Sequence, residues 1–531
     1  MKYFCMLILF FLLMFQLTYA QPKYEFRAVW VTTVNNSDFP STKSLSNEAQ
    51  KAEFISLLKM QKQNGMNALV VQIRPKSDAF YPSQLEPWSE YLTGTQGEPP
   101  APYYDLLEFM ITQTHNLGME FHAWMNPYRG NDIGKSSISP THIDNLHPEW
   151  FITYGSRKYF DPGNKEVQKF LVNVIKDIVS RYKVDAIHFD DFFYPYRNDT
   201  LSFGDSFYPG IRISKINDFE DSKSYSKYGN GMDIESWRRS NVDSFISMAS
   251  RAIKLENKFC KFGISPFAVW RNKNKDPEGS DTYAGHTNYD DLYANVLLWL
   301  KMGWIDYVTP QLYWEIGNKV VDYNTLIDWW AKHSYGRQLY IGQGIYKAAT
   351  SATWKNKNEL PNQIKKLRKY PQIQGSIYFT SKTFNSNPNG WTDTLRSNYY
   401  KYPAIPPPMR WIDSSKPQPP LLLLSGGSEL LSYTSSVSFY FKQRAINSMI
   451  KQYVIYQFED IKNMDINDPR NIKEIIMAGN NFYSFDLQGA NLNRNKIVIA
   501  ATCLSTTNNE SSPSNYIVME RQENGWKVVS Q

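Results

Sequence analysis

Cysteine is nearly absent, with three residues in 531. Cys5 sits in a leading apolar run, while Cys260 and Cys503 are far apart in the chain, so no disulfide framework and no CxxC metal or redox pair can be built from them. Both later thiols are expected to be buried. Long hydrophobic runs are as scarce. The one at residues 4–17 follows Lys2 and leads to Thr18 and Ala20, so residues 1–20 are expected to be a secretory signal peptide cleaved after Ala20. The run is short for a bilayer span. The protein is therefore expected to be exported, to the periplasm or the outer cell surface, with no stable membrane insertion once the signal is removed. Charge of one sign is not concentrated either: the formal net charge is only +7, and its dispersal argues against nucleic acid as a partner. No glycine-rich turn follows the first strand-like run, no HExxH spacing occurs and no GxSxG elbow is present. No cofactor and no metal is expected from any of these spacings.

Aromatic residues, in contrast, are abundant at 15%, with 36 Tyr and 15 Trp. Such a surplus serves either a large aromatic core or a surface on which flat sugar rings stack. The chain is long enough for a large domain and a smaller one. Eight strand-like runs, at 26–34, 68–74, 120–126, 185–191, 261–267, 305–314, 339–346 and 375–380, alternate with helical segments. This pattern predicts an α/β fold, a TIM (β/α)8 barrel over residues 21–402. The surplus length falls after strands two, three and four, at 75–102, 127–166 and 192–233, as long βα-loop insertions on the carboxyl-terminal face, where barrel active sites form. Residues 403–420, PAIPPPMRWIDSSKPQPP, read as a semi-rigid linker. Beyond them, short β-rich runs over 421–531 predict a small all-β sandwich of immunoglobulin or fibronectin type III kind.

The stretch VDAIHFDDFFYP, residues 184–195, draws most attention. Side chains alternate along a strand, so Ala186, His188 and Asp190 share one face, and Ile187, Phe189 and Asp191 the other. A small residue followed by polar ones suits the inside and mouth of a barrel, which favours Asp190; Asp191 stays a candidate if the strand already turns there. Other strand ends carry polar groups that a core alone does not need. Gln72 and Arg74 share a face in VVQIRP, and His122, Trp124 and Asn126 do so in FHAWMNPYR. Ser265, Trp270 and Arg271 end strand five, and Thr309, Gln311 and Tyr313 alternate along strand six, with Trp314 and Glu315 at its tip. Taken singly, each is as readily a satisfied interior polar group. Asp281, in the loop after strand five, reads first as a turn residue. Glycoside hydrolysis needs two carboxyl groups, one to protonate the leaving oxygen and one to act as nucleophile or to activate water. Asp190 or Asp191 with Glu315 can supply them, unless Glu315 only caps the following turn. Two alternatives stay open: a noncatalytic glycan-binding envelope protein, and a metal-dependent polysaccharide deacetylase using His122, His188 and Asp190.

The segments EFRAVWVTTVNNSDFPS, LVVQIRPKSDAFYPSQLEPWSEYLTGTQG, FHAWMNPYR, HFDDFFYPY, GISPFAVWRN and DYVTPQLYW together resemble the glycosyl hydrolase-like 10 family, in order and over roughly residues 24–402. The resemblance implies a TIM-barrel glycosidase of the bacterial envelope, with peptidoglycan glycan strands stripped of stem peptides as its first substrate. It also implies site roles for Asp190 and Asp191, and for Gln72, Asn126, Arg129, Trp270, Arg271, Gln311 and Tyr313. Glu315 remains the candidate acid, with Asp281 in reserve.

Overall fold

The computed structural model describes residues 21–134, 138–197, 218–348, 350–425, 430–432, 436–443, 450–479, 482–486 and 494–530. The expected signal peptide lies outside the described residues. The chain divides into two compact units, residues 26–392 and a second formed by everything from Asp393 onward together with the stub ending at Glu25. That division lies ahead of the expected boundary at 402.

The larger unit is built on eight parallel strands: β1 (Phe26–Val31), β2 (Ala68–Arg74), β3 (Glu120–Met125), β4 (Ala186–Phe189), β5 (Lys261–Ile264), β6 in two pieces (Tyr307–Val308 and Gln311–Leu312), β7 (Gln338–Gln343) and β8 (Ile373–Tyr378). Each pairs with the next, β8 pairs with β1, and β6 pairs with β7, so the sheet closes into the expected TIM barrel. Strands β1 and β2 are buried at every position, as parallel strands covered on both faces must be. The sequence predicts one run over 305–314. The break in β6 falls at Thr309 and Pro310, where proline has no N–H to give a neighbouring strand.

Helices wrap the outside: α1 (Asn47–Gln63), α2 (Leu106–Asn116), α3 (Lys165–Arg181), α4 (Ile234–Glu256), α5 (Val296–Lys301), α6 (Tyr323–Lys332) and α7 (Glu359–Leu367). Capping fixes several starts. The side chains of Ser46, Asp105, Asn164, Asp233 and Asp322 each accept from a backbone N–H of the first turn, which satisfies a donor that has no helical partner. Along α3, Val167, Leu171, Val174, Ile175 and Ile178 recur at helical spacing and are buried, the stripe by which an amphipathic helix docks on a sheet. Phe189 of β4 faces outward, stacked on Phe245 of α4 with centroids 5.9 Å apart.

The barrel interior is polar. Near its floor, Lys261 pairs with Glu120 at 2.6 Å and Glu120 meets His122 at 3.0 Å. Above them the Tyr307 hydroxyl sits between the Nδ1 atoms of His122 and His188, each at 2.9 Å. Glycine at position 263 makes room for this ring, since a Cβ there would lie 1.9 Å from it.

The smaller unit is all-β and antiparallel. One sheet holds Leu421–Ser425, Ser436–Lys442 and Phe482–Asp486; the other holds six strands, including Ile450–Phe458, Lys496–Ser505 and Ile517–Gln522. Leu422, Phe439 and Phe441 of the small sheet pack with Tyr453, Ile455, Ile497 and Trp526 of the large one. The far face of the large sheet is also covered, with Val454, Tyr456, Phe458 and Val498 packed with Ile405 and Tyr24. The stub is held firmly there: Glu25 N–H donates to the Ile405 carbonyl at 3.0 Å, and Glu510 accepts from Lys23 at 2.6 Å, Thr502 at 2.7 Å, Tyr24 at 2.5 Å and Tyr456 at 2.5 Å. Cys260 and Cys503 are free and buried, one in each unit. No helix among the described residues is long and apolar enough to cross a membrane.

Candidate active site

Strand β4 ends at Phe189, so Asp190 and Asp191 leave it at the carboxyl-terminal mouth, and the chain turns between them. Asp190 keeps the inward direction of His188. Its Oδ2 accepts from Trp124 Nε1 at 3.2 Å and from Asn126 Nδ2, and its Oδ1 from the Phe192 N–H at 3.4 Å. Asn126 accepts in turn from Gln72, whose own Oε1 takes the N–H groups of Thr33 at 3.0 Å and Val34 at 2.9 Å. Three strands thus fix one carboxylate through a single chain of amides. Because the turn brings Asp191 round as well, it also lies at the mouth, accepting from the Tyr196 hydroxyl and from Gln311 of β6.

Both carboxyls are buried, at 5% and 3% exposure. Burial, then the charge of Asp191, pushes Asp190 up to about 8, against the Phe192 N–H, Trp124 and the Arg129 guanidinium, which act the other way. Burial pushes Asp191 up to about 6, with Tyr196 and Gln311 restraining it. Two like charges side by side in a low-dielectric site do not both ionise readily, so the pair titrates as a unit that holds one proton at neutral pH.

The remaining candidates separate into three groups. Arg129 is buried, and its charge acts on Asp190. Gln311 joins β6 to Asp191 while donating to the Ser265 carbonyl at 2.9 Å. Tyr313 lies edge-on to Tyr346 at 5.7 Å, and half-buried Trp314 packs edge-on to Phe267 at 5.6 Å. Trp270 stacks on Trp329 at 6.0 Å, and its buried indole N–H has no protein partner among the described residues. Arg271 pairs with Asp290 at 2.8 Å and Asp276 at 3.0 Å, so it braces the loop after strand five.

Three other side chains are taken up by protein partners. Arg74 is fully buried: it donates to both oxygens of Glu86, at 2.7 and 2.5 Å, and to the Asn126 carbonyl at 2.6 Å. The register slips between Gln72 and Arg74, so the shared face read from strict alternation ends at Gln72. Arg74 therefore positions the Asn126 backbone where a sugar contact was expected. His122 and His188 are likewise 0% exposed and sit within the barrel. His188 Nε2 lies 3.1 Å from Ser265 Oγ and 3.3 Å from Trp30 Nε1, and burial lowers the pKa of both rings. With those nitrogens engaged, neither imidazole offers a free ligand atom for a deacetylase metal.

Glu315 is half-buried, with its carboxylate taken by Trp354 Nε1 and Asn318 Nδ2, each at 3.1 Å. The Asn318 contact lies within the turn that follows Glu315. Asp281 is exposed on its loop. Sequence reasoning misses Tyr196 and His286. Tyr196 donates to Asp191 and stacks on the His286 ring at 4.5 Å, with planes 13° apart; burial holds His286 down to about 4, hence neutral. The aromatic residue five positions after Asp191, inside HFDDFFYPY, is the available signal for Tyr196. Nothing in the sequence marks His286. Among the described residues, no group of three or more His, Cys, Asp or Glu is gathered as a metal site.

Comparison with known proteins fits this architecture. The family model described as Glycosyl hydrolase-like 10 matches residues 25–359. "Glycosyl hydrolase YngK" of Bacillus subtilis (strain 168) is 43% identical over 411 residues, covering 76% of this chain and 77% of that protein. "Glycosyl hydrolase DigH" of Escherichia coli (strain K12) is 34% identical over 395 residues, covering 69% and 85%. Among solved structures, the PgaB (BpsB) glycoside hydrolase domain from Bordetella bronchiseptica aligns at 12% identity with a TM-score of 0.43, over 70% of this chain and 98% of that one. That likeness is too distant to bear on the site.

Proposed function

The chain belongs to the glycosyl hydrolase-like 10 family, and from that premise we propose that it is an exported glycoside hydrolase cleaving O-glycosyl bonds of a polysaccharide, with bacterial cell-wall glycan strands as the preferred substrate. The observation that carries this reading is the pair Asp190 and Asp191, buried at the barrel mouth with values of about 8 and about 6. Carboxyls whose environments push them apart in this way supply an acid and a base at one pH. The protonated member donates to the leaving glycosidic oxygen, and the ionised one stabilises positive charge at the anomeric carbon or activates water. Half-buried Trp314 supplies an aromatic face for a sugar ring. The two-sheet unit after the linker is proposed to be a spacer of immunoglobulin or fibronectin type III kind.

Peptide-free glycan strands incubated with the wild type should release reducing ends. Asp190→Asn and Asp191→Asn should each cut that release by about three orders of magnitude or more, in the range expected for loss of an acid or base. Full activity in both variants sinks the assignment. A second reading, a noncatalytic glycan-binding envelope protein, draws on Glu315, whose carboxylate is held by Trp354 and Asn318. Saturable glycan binding with unchanged strand length, seen with active-site-intact protein, selects it.

A further inference from the structure

The chain of amides that ends on Asp190 has a direction, and backbone atoms set it. After β1 the backbone turns at Val34–Asn36, and the successive N–H groups of Thr33 and Val34 both donate to Gln72 Oε1, at 3.0 and 2.9 Å. A backbone N–H can only donate, so that atom of Gln72 is its carbonyl oxygen. The amide nitrogen of Gln72 therefore faces Asn126 and donates to its Oδ1. Asn126 is left with only its own NH2 group to offer Asp190. Neither amide can be reversed without setting donor against donor or acceptor against acceptor. Gln72 and Asn126 are each 1% exposed, so bulk water does not relieve such a mismatch.

This direction decides where Asp190 can carry a proton. Asn126 Nδ2 and Trp124 Nε1 both donate to Oδ2, which fills the two lone pairs of that oxygen in the carboxyl plane. A proton on this carboxyl must then sit on Oδ1, which the Phe192 N–H approaches only to 3.4 Å. The charged and titratable groups that act on the carboxyl are Asp191 beside it, Arg129 beyond β3 and Tyr196 on the loop after β4. None of the three belongs to the chain of amides.

We infer that Gln72 is a positioning residue: through Asn126 it reserves the acid proton of Asp190 for Oδ1, the oxygen that serves the leaving group. This role rests on the hydrolase reading above and deepens it. In the step concerned, the bond between the anomeric carbon and the leaving oxygen breaks, its electron pair stays on that oxygen, and the Oδ1 proton joins it. Water supplies the oxygen that ends on the anomeric carbon and returns a proton to the carboxyl pair. Oδ2 keeps both donors throughout, so the charge left on Asp190 meets hydrogen bonds already in place. Gln72, read from the sequence as a sugar contact, acts through the carboxyl instead.

Reducing-end release from peptide-free glycan strands, followed against pH with the full chain, tests it through two variants. Gln72→Glu keeps an oxygen for Thr33 and Val34 and, while protonated, a donor for Asn126. Once ionised it can only accept, so Asn126 must turn round and draw the Asp190 proton to Oδ2, away from the leaving oxygen. The alkaline limb of this variant should therefore fall at lower pH than that of the wild type. A negative charge acting through space alone would hold the Asp190 proton longer and move that limb up, and a merely structural loss would lower thermal melting without moving it. Gln72→Met cuts the chain of amides without adding charge, and decides the matter if Gln72→Glu does not fold. It should lower kcat about tenfold, the effect of one buried hydrogen bond, with KM unchanged. An alkaline limb that stays or moves up in Gln72→Glu, or a KM that rises with kcat intact in Gln72→Met, overturns the role of Gln72 and leaves the hydrolase reading standing. No release by the wild type removes the hydrolase reading, and the role of Gln72 with it.

Discussion

The floor and the mouth of the barrel are both buried and both polar, yet they are wired in opposite ways. At the floor every charge meets its opposite: Lys261 lies 2.6 Å from Glu120, and Glu120 reaches His122, whose other nitrogen meets Tyr307. At the mouth two neighbouring carboxyls of the same sign are both buried and both raised above the usual carboxylate range. Buried ionic groups that are fully paired hold a fold in register, and breaking one is expensive. Buried like charges do the reverse, since the folded state must suppress an ionisation that the unfolded chain allows freely. The contrast separates the part of the interior that maintains the barrel from the part proposed to carry the chemistry.

The largest expected effect breaks the comparison at the floor. Glu120→Gln leaves Lys261 buried without its counter-charge and should destabilise the barrel by about 3–5 kcal/mol, read as a lower urea midpoint with the pH profile of surviving activity unmoved. A shift in that profile would mean that floor and mouth are one electrostatic unit. Next is a stability gain at the mouth. Because the Asp190 carboxyl is raised from 3.8 to about 8, the folded state binds more protons than the unfolded one between those values. Its contribution is therefore present at low pH and is lost as pH rises from about 4 towards 8. Asp190→Asn should then melt higher than the wild type at pH 8, the difference shrinking as pH falls to 4, even though activity is lost. Equal melting at both pH values would show that the carboxyl carries no such burden.

Smaller effects tune the pair. Activity of the wild type should follow a bell whose limbs fall at about 6 and about 8, since it requires one proton on the pair. Tyr196→Phe removes a donor that stabilises ionised Asp191, so the acidic limb should move up by roughly one unit or less. An unmoved limb would assign it to another group.

Much of the barrel, and the inward carboxylate at its mouth, is legible in the sequence. Alternation along β4 correctly places His188 and Asp190 inside and Phe189 outside, because register in a covered strand is set by period alone. Periodicity also bounds α4 well, since its Asp233 cap and apolar stripe are local signals. Partners from distant loops are not legible. Arg74 is captured by Glu86 from the following insertion after a slip in register, and Glu315 by Trp354 from the loop after β7; both depend on chain closure that no local pattern encodes. His122 and His188 are visible as inward residues, but their depth is not. Strand parity gives a direction without a height, and height decides whether a polar side chain meets substrate or the Tyr307 hydroxyl.

The clasp around Glu510 bears on the topology of the whole chain. Lys23 and Tyr24 precede the first barrel strand, yet they are bonded into the unit that follows the last one. The smaller unit is thus assembled from chain on both sides of the barrel segment, the stub ending at Glu25 and everything from Asp393 onward. A protease nick between residues 403 and 420 should yield two fragments on a denaturing gel that still travel together through gel filtration, until Glu510→Ala loosens the stub.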